Sequence, residues 1–253
     1  MAFSKRIRYS LVAVGLAGSS LFMVPSAYAA TADHEFDGYR TPNFSSTEVD
    51  SASVQIERTN TAYINGTVSI NPLPASNAWD MIDNGTEYAQ TGFIEYQNTG
   101  VYYFFEENDG VNDYQIYSNG AVGGAGQPLP NLSGAVGPAV DYYHTYNVSK
   151  SGDSYTGNVD GAFSNYFYVT PQYSWTPNRA EYMEEIVWDS YAQFFGTKAD
   201  PTVFRYASWT DSTGATRYDS MSYYANNTTI AGNDGSYNIG TSSNVWYPYD
   251  TRA

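Results

Sequence analysis

The chain has 253 residues, of which 11 are basic and 26 are acidic, so its formal net charge is −15. An acidic balance of this size excludes binding to nucleic acids or to anionic membranes by charge attraction. The sequence has no cysteine and only two histidines, which excludes disulfides, thiol chemistry and the His or Cys clusters that hold zinc or haem.

The first 30 residues have the pattern of a secretory signal peptide. Lys5, Arg6 and Arg8 precede an apolar run from Leu11 to Val24, and an Ala-x-Ala site ends at Ala29. The alternative is a transmembrane helix, but the apolar run is too short to cross a bilayer comfortably. We therefore predict a secreted protein that has no contact with the membrane after cleavage. Because the segment holds three of the basic residues and none of the acids, the mature chain would carry −18.

The remainder of the chain predicts a loose polar arm over residues 31–50 and one domain over residues 51–253. From residue 53 onward, short segments rich in Val, Ile, Thr, Tyr and Phe alternate with Gly, Asn and Asp turns, which is the pattern of an all-β sandwich. No segment has the periodicity and caps of a helix. We predict an antiparallel β-sandwich. The predicted strands are Ser53–Arg58, Gly66–Ile70, Ala78–Ile82, Thr91–Gln97, Val101–Glu107, Asp113–Ser118, Tyr142–Ser149, Ser154–Val159, Ala162–Val169, Ala180–Val187, Val203–Trp209 and Arg217–Tyr224.

One segment, Gly120–Pro138, is rich in glycine and proline and predicts a long loop. Long loops at the end of a sandwich often carry function, but a plain crossover between sheets fits the pattern equally well.

The chemistry open to the chain is that of carboxylates and amides. His34 lies in the predicted arm and His144 in a predicted strand, and no G-x-S-x-G elbow accompanies His144. A calcium site in Asn-Asp-Gly loops such as 108–110 stays open, but the EF-hand pattern is absent. We therefore expect no cofactor and no metal ligand set.

The predicted strand Ala180–Val187 contains three carboxylates. Side chains of a strand alternate between its two faces. Glu181 and Glu185 share one face and are about 13 Å apart along the strand, too far to share a proton. The alternative interpretation is a solvated edge strand. The two faces are Glu181, Met183, Glu185 and Val187 on one side, and Tyr182, Glu184, Ile186 and Trp188 on the other.

Four short motifs follow one another in a characteristic order. Residues 79–85 read W-x-x-I-D-x-G, residues 90–92 read Q-T-G, the aromatic strand 101–107 contains Glu106, and residues 180–185 read A-E-aromatic-x-x-E. This order resembles the eqolisin family of glutamic peptidases, and more distantly the neprosin domain, over about Trp79 to Trp209.

The resemblance implies a jelly-roll or concanavalin-like sandwich in which a Gln and a Glu form a catalytic dyad. Gln90 matches the family's Gln. Both Glu181 and Glu185 match its Glu, and the neprosin-like W-G-G-E motif favours Glu185, with Glu181 as the alternative. Glu106 matches a supporting acid.

The resemblance also implies an activity. Trp79 and Asp83 would belong to the substrate groove, and the protein would be an acid-acting endopeptidase whose partner is a polypeptide substrate. In such an enzyme a Glu acts as general base on a water molecule, and the Gln side chain stabilises the oxyanion. We expect a monomer.

A carbohydrate-binding or glycan-cleaving sandwich is the competing interpretation. Its basis is a surplus of aromatic side chains that could stack on sugar rings, although such residues more often form cross-strand pairs. A secreted structural protein without activity is a third possibility. The aromatic residues concerned are Tyr142, Tyr143, Tyr146, Tyr166 and Tyr168.

Overall fold

The computed structural model describes residues 34–59, 75–96, 100–118, 122–124, 137–161, 167–187, 192–218, 221–234 and 242–252. All regular secondary structure in these ranges is β. They contain no helix that is long and apolar enough to cross a membrane.

The described part of the chain forms strands β1 to β19. In chain order they are His34–Arg40, Val49–Glu57, Ala75–Asp83, Tyr88–Tyr96, Gly100–Asn108, Asp113–Tyr117, Val122–Gly124, Tyr143–Ser151, Ser154–Val159, Phe167–Val169, Arg179–Val187, Gly196–Thr197, Asp200–Pro201, Val203–Asp211, Thr216–Arg217, Ser222–Ala225, Ala231–Asn233, Val245–Trp246 and Pro248–Asp250.

Two large antiparallel sheets make up the fold. The first has eight strands in the order β16-β1-β11-β3-β4-β5-β6-β7. The second has the order β10-β9-β8-β2-β14-β15, with β18 paired to β14. Two small sheets, β12-β13 and β17-β19, complete the described architecture. The prediction of an all-β antiparallel sandwich is confirmed.

The hairpin between β3 and β4 fixes the register at the centre of the eight-stranded sheet. Gly85 has φ +96°, a conformation that glycine adopts without strain, and its backbone N–H donates to the Asp83 carboxylate at 2.8 Å. This tight turn pairs Asp83 with Tyr88, and the pairing continues to Ala75 and Tyr96.

Both faces of the central strands are buried. The inner face packs against the second sheet through a large apolar core that includes Ala78, Tyr182 and Trp246. The outer face carries a separate apolar cluster. As a result every residue of β3 and β11 is buried, although β11 contains three glutamates. Members of the outer cluster include Trp79, Met81, Tyr88, Ile94, Phe104 and Met183.

Most predicted strands agree with the observed ones to within a few residues, and Ser154–Val159 agrees in full. The prediction for Arg217–Tyr224 is wrong in part, because two short strands, β15 and β16, replace one. The predicted long loop Gly120–Pro138 contains the short strand β7. The signal peptide, the strand Gly66–Ile70 and residues 162–166 lie outside the described residues.

The predicted loose arm is wrong for His34–Arg40, which is strand β1 and pairs with β11 on one side and β16 on the other. Its polar groups find partners in distant segments: the backbone N–H of Phe36 donates to Asn226, and Arg40 forms an ion pair with Glu181. The edge-strand interpretation of Ala180–Val187 is also wrong, since β11 lies between β1 and β3.

Candidate active site

Strand pairing aligns Gln90 with two glutamates in one row across the eight-stranded sheet. Met81 on β3 pairs with Glu181 on β11 and with Gln90 on β4, and Gln90 pairs with Glu106 on β5. Residues that pair directly point to the same face of a sheet, here the outer one. All four residues are buried, with at most 5% of their surface exposed.

The Gln90 amide is held by a hydrogen bond to Glu106. Nε2 of Gln90 donates to Oε2 of Glu106 at 2.8 Å, and the Tyr88 hydroxyl donates to Oε1 of Glu106 at 2.6 Å. Nε2 of Gln115 adds a longer contact to the same Oε1 at 3.3 Å. A side-chain amide has two N–H donors, so Gln90 keeps one for a further acceptor.

Burial makes the Glu106 carboxyl a weaker acid than a glutamate in water. It raises the pKa of the Glu106 carboxyl well above its ordinary value, and the nearby Asp113 carboxyl raises it further. Burial also raises the pKa of Asp113, to about 6. The raised pKa of Glu106 favours the neutral form of its carboxyl group. A protonated Glu106 orients the Gln90 amide without adding a negative charge beside it.

On the other side of Met81, Glu181 belongs to a group of charged side chains. Arg179 contacts Glu181 at 2.7 Å through Nε and forms a two-point contact with Asp83 at 2.6 and 3.0 Å. Arg40 lies 3.7 Å from Glu181. Burial raises the pKa of Glu181, while the two arginines oppose the increase. Burial and the charge of Glu181 likewise raise the pKa of Asp83 well above its ordinary value.

Glu185 occupies a different row from Gln90. It pairs with Asn77 rather than with Met81, and it is four residues, about 13 Å, farther along β11 than Glu181. One of its carboxylate oxygens is 2.7 Å from Nδ1 of His34, and the other accepts from Nε1 of Trp79 at 3.1 Å.

All six residues singled out from the sequence thus lie on the outer face of one sheet. The register groups Gln90 with Glu106 and Glu181, Arg179 links Asp83 to Glu181, and Trp79 contacts Glu185. Sequence reasoning missed Met81, Arg179 and His34. Alternation along β3 and β11 could have found the first two, because they lie two residues from Trp79 and Glu181, whereas no local signal relates His34 to Glu185.

Gly92 leaves room for the main chain of Ala78 and Trp79 on the neighbouring strand. A β-carbon at Gly92, which pairs with Trp79, would lie 2.1 Å from the carbonyl oxygen of Ala78 and 2.8 Å from Cβ of Trp79.

We therefore expect Gly92→Ala to lower the free energy of unfolding by about 1–3 kcal/mol, as overpacking typically does. Urea denaturation measures this, with Thr216→Ala at an exposed position as a control expected to stay within about 0.5 kcal/mol. Equal stability of both variants would contradict the tight packing of this row.

Two other buried carboxyl groups predict that the protein is most stable in acid. Burial raises the pKa of Asp37 to about 7 and of Glu107 to about 8. The folded protein therefore keeps these protons at a pH where the unfolded chain has released them. Stability is then full below about pH 4 and falls with rising pH by about 1.4 kcal/mol per unit for each group, until pH passes the folded pKa.

Urea denaturation in metal-free buffer between pH 4 and 8 tests this prediction. Glu107→Gln is expected to reduce the slope of stability against pH, because it removes one of the two groups. A stability that rises from pH 5 to 8 would contradict the prediction.

No protein-family model matches the sequence, and no curated protein sequence matches it. The structure of scytalido-glutamic peptidase with a peptide-based transition-state analogue matches with a TM-score of 0.53 and 16% identity, over 86% of this chain and 98% of that chain. SCP-B, a member of the eqolisin family of peptidases in complex with the tripeptide Ala-Ile-His, matches with a TM-score of 0.51 and 14% identity, over the same shares.

The chain shares the fold of these peptidases. At such low identity the likeness concerns the fold alone. The aromatic residues behind the carbohydrate interpretation do not form one exposed row: Tyr146 is fully buried in the core, whereas Tyr142 and Tyr168 are 65% and 54% exposed. Tyr166 lies outside the described residues.

Proposed function

We propose that this chain is a secreted endopeptidase of the glutamic type, with Glu181 as general base and Gln90 as the group that stabilises the oxyanion. The observation that carries the proposal is the shared row of Gln90, Met81 and Glu181 on a sheet whose fold matches two glutamic peptidases. The substrate is a polypeptide, as it is for those neighbours.

The reaction needs only these two side chains and a water molecule. The Glu181 carboxylate takes a proton from water as the water oxygen forms a bond to the scissile carbonyl carbon. The electron pair of the carbonyl moves to its oxygen, which accepts a hydrogen bond from the second N–H of Gln90. When the intermediate collapses, the C–N bond breaks and the proton on Glu181 passes to the leaving amine.

The surroundings of the two residues support their roles. Glu106 fixes the amide of Gln90, and in its neutral form it would not repel a developing oxyanion. The raised pKa of Glu181 favours proton transfer in weak acid, and Arg179 and Arg40 oppose the increase. Met81 lies between the reacting groups, and its flexible thioether side chain would have to turn aside when a peptide binds.

Glu185 remains the alternative base. The contact with Trp79 and His34 would hold its carboxylate in a defined orientation, but its row is separate from that of Gln90. The separate row favours Glu181 over Glu185, which is the reverse of what the motif resemblance favours.

The proposal is tested by incubating purified protein from residue 31 to 253 with a denatured protein substrate between pH 2 and 7. We expect peptide products with a maximum rate at acid pH, detected by mass spectrometry. Absence of cleavage at every pH, from a protein that is folded by circular dichroism, would contradict the proposed function. Binding of the same inactive protein to glycans on an array would support the carbohydrate interpretation instead.

A further inference from the structure

Two carboxyl groups lie side by side on the inner face of the eight-stranded sheet, opposite the face that carries Glu181. Asp37 on β1 pairs in register with Glu184 on β11, and both residues are 0% exposed. None of their four carboxyl oxygens has a partner at normal hydrogen-bond distance and angle, and the nearest polar groups are Tyr223 and Asn233 beside Asp37 and Thr202 beside Glu184. The proposed peptidase reaction uses neither residue.

Further polar groups surround the pair. The hydroxyl of Thr202, which is also fully buried and lacks a hydrogen-bond partner, lies beside Glu184. The Tyr223 hydroxyl and the Asn233 side chain lie beside Asp37. Oxygen atoms from β1, β11 and the segment before β14 therefore approach one another in the protein interior.

Among the described residues, no cation forms an ion pair with either of the two carboxyls. Asp250 is the next acidic group beyond Glu184, and Arg252 beside it is bound to Asp250 at 2.6 Å. Isolated carboxylates are very costly to bury, so a group of this kind either keeps its protons or holds a cation.

We propose that Asp37 and Glu184 bind one Ca²⁺ ion between β1 and β11. Two carboxylates neutralise the ion's double charge, so the buried site would carry no net charge. Ca²⁺ takes six to eight oxygen ligands in flexible geometry, whereas Mg²⁺ keeps several waters and demands an octahedral site. Four carboxyl oxygens and the Thr202 hydroxyl supply donors of the right kind.

The sequence alone gave no reason to expect this site. The described residues contain no group of three His, Cys, Asp or Glu that could hold a metal. The ion would instead rely on two carboxylates, brought together by strands far apart in the chain, and on neutral oxygens. Such an ion would tie β1 to the body of the sheet, independently of any peptidase activity.

Calorimetric titration of the EDTA-treated protein, residues 31–253, with CaCl₂ at pH 7.5 tests the proposal. We expect one ion per chain and a rise in Tm of about 5 °C when Ca²⁺ exceeds its Kd a hundredfold. Asp37→Asn and Glu184→Gln should each weaken Ca²⁺ binding at least 100-fold. Glu107→Gln, which removes a different buried carboxyl, should bind as the wild type does.

Measurements at pH 4 separate loss of the site from misfolding. There both carboxyls are protonated in the folded wild type, so Ca²⁺ should have no effect, and the two amide variants should unfold within a few degrees of the wild type. The proposal is overturned if the folded wild type binds no Ca²⁺ at pH 7.5, if MgCl₂ binds equally well, or if the variants bind like the wild type. A wild type that binds no ion and is stabilised at pH 7.5 by Asp37→Asn would show that the pair holds protons.

Discussion

Replacing Gln90 by alanine is expected to lower kcat/KM for peptide cleavage about 100- to 1,000-fold, which is the usual effect of removing one oxyanion donor. The reason is that the second N–H of Gln90 would hydrogen-bond to the carbonyl oxygen only as negative charge develops on it. The loss should therefore appear in kcat, with KM little changed, and steady-state kinetics on a fluorogenic peptide at the optimal pH would measure it.

Gln115→Ala is the matched control for this variant. Gln115 also donates to Glu106, at 3.3 Å, but it lies on the far side of Glu106 from Gln90. We expect the control to keep kcat/KM within about tenfold of the wild type. A Gln90→Ala enzyme that is folded and retains more than a third of wild-type kcat would contradict the role proposed for the amide.

Glu181→Gln is expected to lower kcat by about 100- to 10,000-fold, the range that general-base catalysis contributes. The substitution keeps the shape of the side chain, and Arg179 keeps its two-point contact with Asp83, so the fold should persist. The residual activity should no longer show the acidic pH limb that titration of Glu181 produces. Full pH–rate profiles of both enzymes measure this difference.

Glu185→Gln separates the two candidates for the base. If Glu181 is the base, this variant should lose less than about tenfold in kcat, because it alters only the contacts with His34 and Trp79. Loss of activity in Glu185→Gln together with retention in Glu181→Gln would reverse the assignment while leaving a glutamic peptidase. Retention in both variants, with cleavage intact, would rule out a Gln–Glu mechanism.

The strands could be predicted where the alternation of residue types in the sequence matches the alternation of buried and exposed side chains in the fold. Ser154–Val159, for instance, alternates between buried and half-buried residues and is followed by an Asp-Gly turn. His34–Arg40 was not predictable, because a strand with a glycine and four ionisable residues reads as a polar arm. His34 and Arg40 are matched by Glu185 and Glu181, which local sequence does not reveal.

The candidate site was predictable in its residue types and unpredictable in its geometry. The short β3–β4 connection made it possible to expect Gln90 near Met81. The neighbour of β3 on its other side, β11, follows almost a hundred residues later, and a sequence gives no register for such a pair: Arg179 and Asp83 are 96 residues apart. The choice between Glu181 and Glu185 depends on that register, because a shift of four residues would exchange them.

Strand β1 also constrains the order in which the chain folds. His34 and Glu185 are 151 residues apart, and Phe36 and Asn226 are 190 residues apart. Among the described strands, β1 therefore has no pairing partner until most of the chain has been made. Pairings of such long range form slowly, and unpaired strands are prone to aggregate while they wait. Charged residues counteract aggregation of this kind. The charged residues that make the sequence of β1 resemble a disordered arm would therefore keep this segment soluble until β11 and β16 have been synthesised and can pair with it.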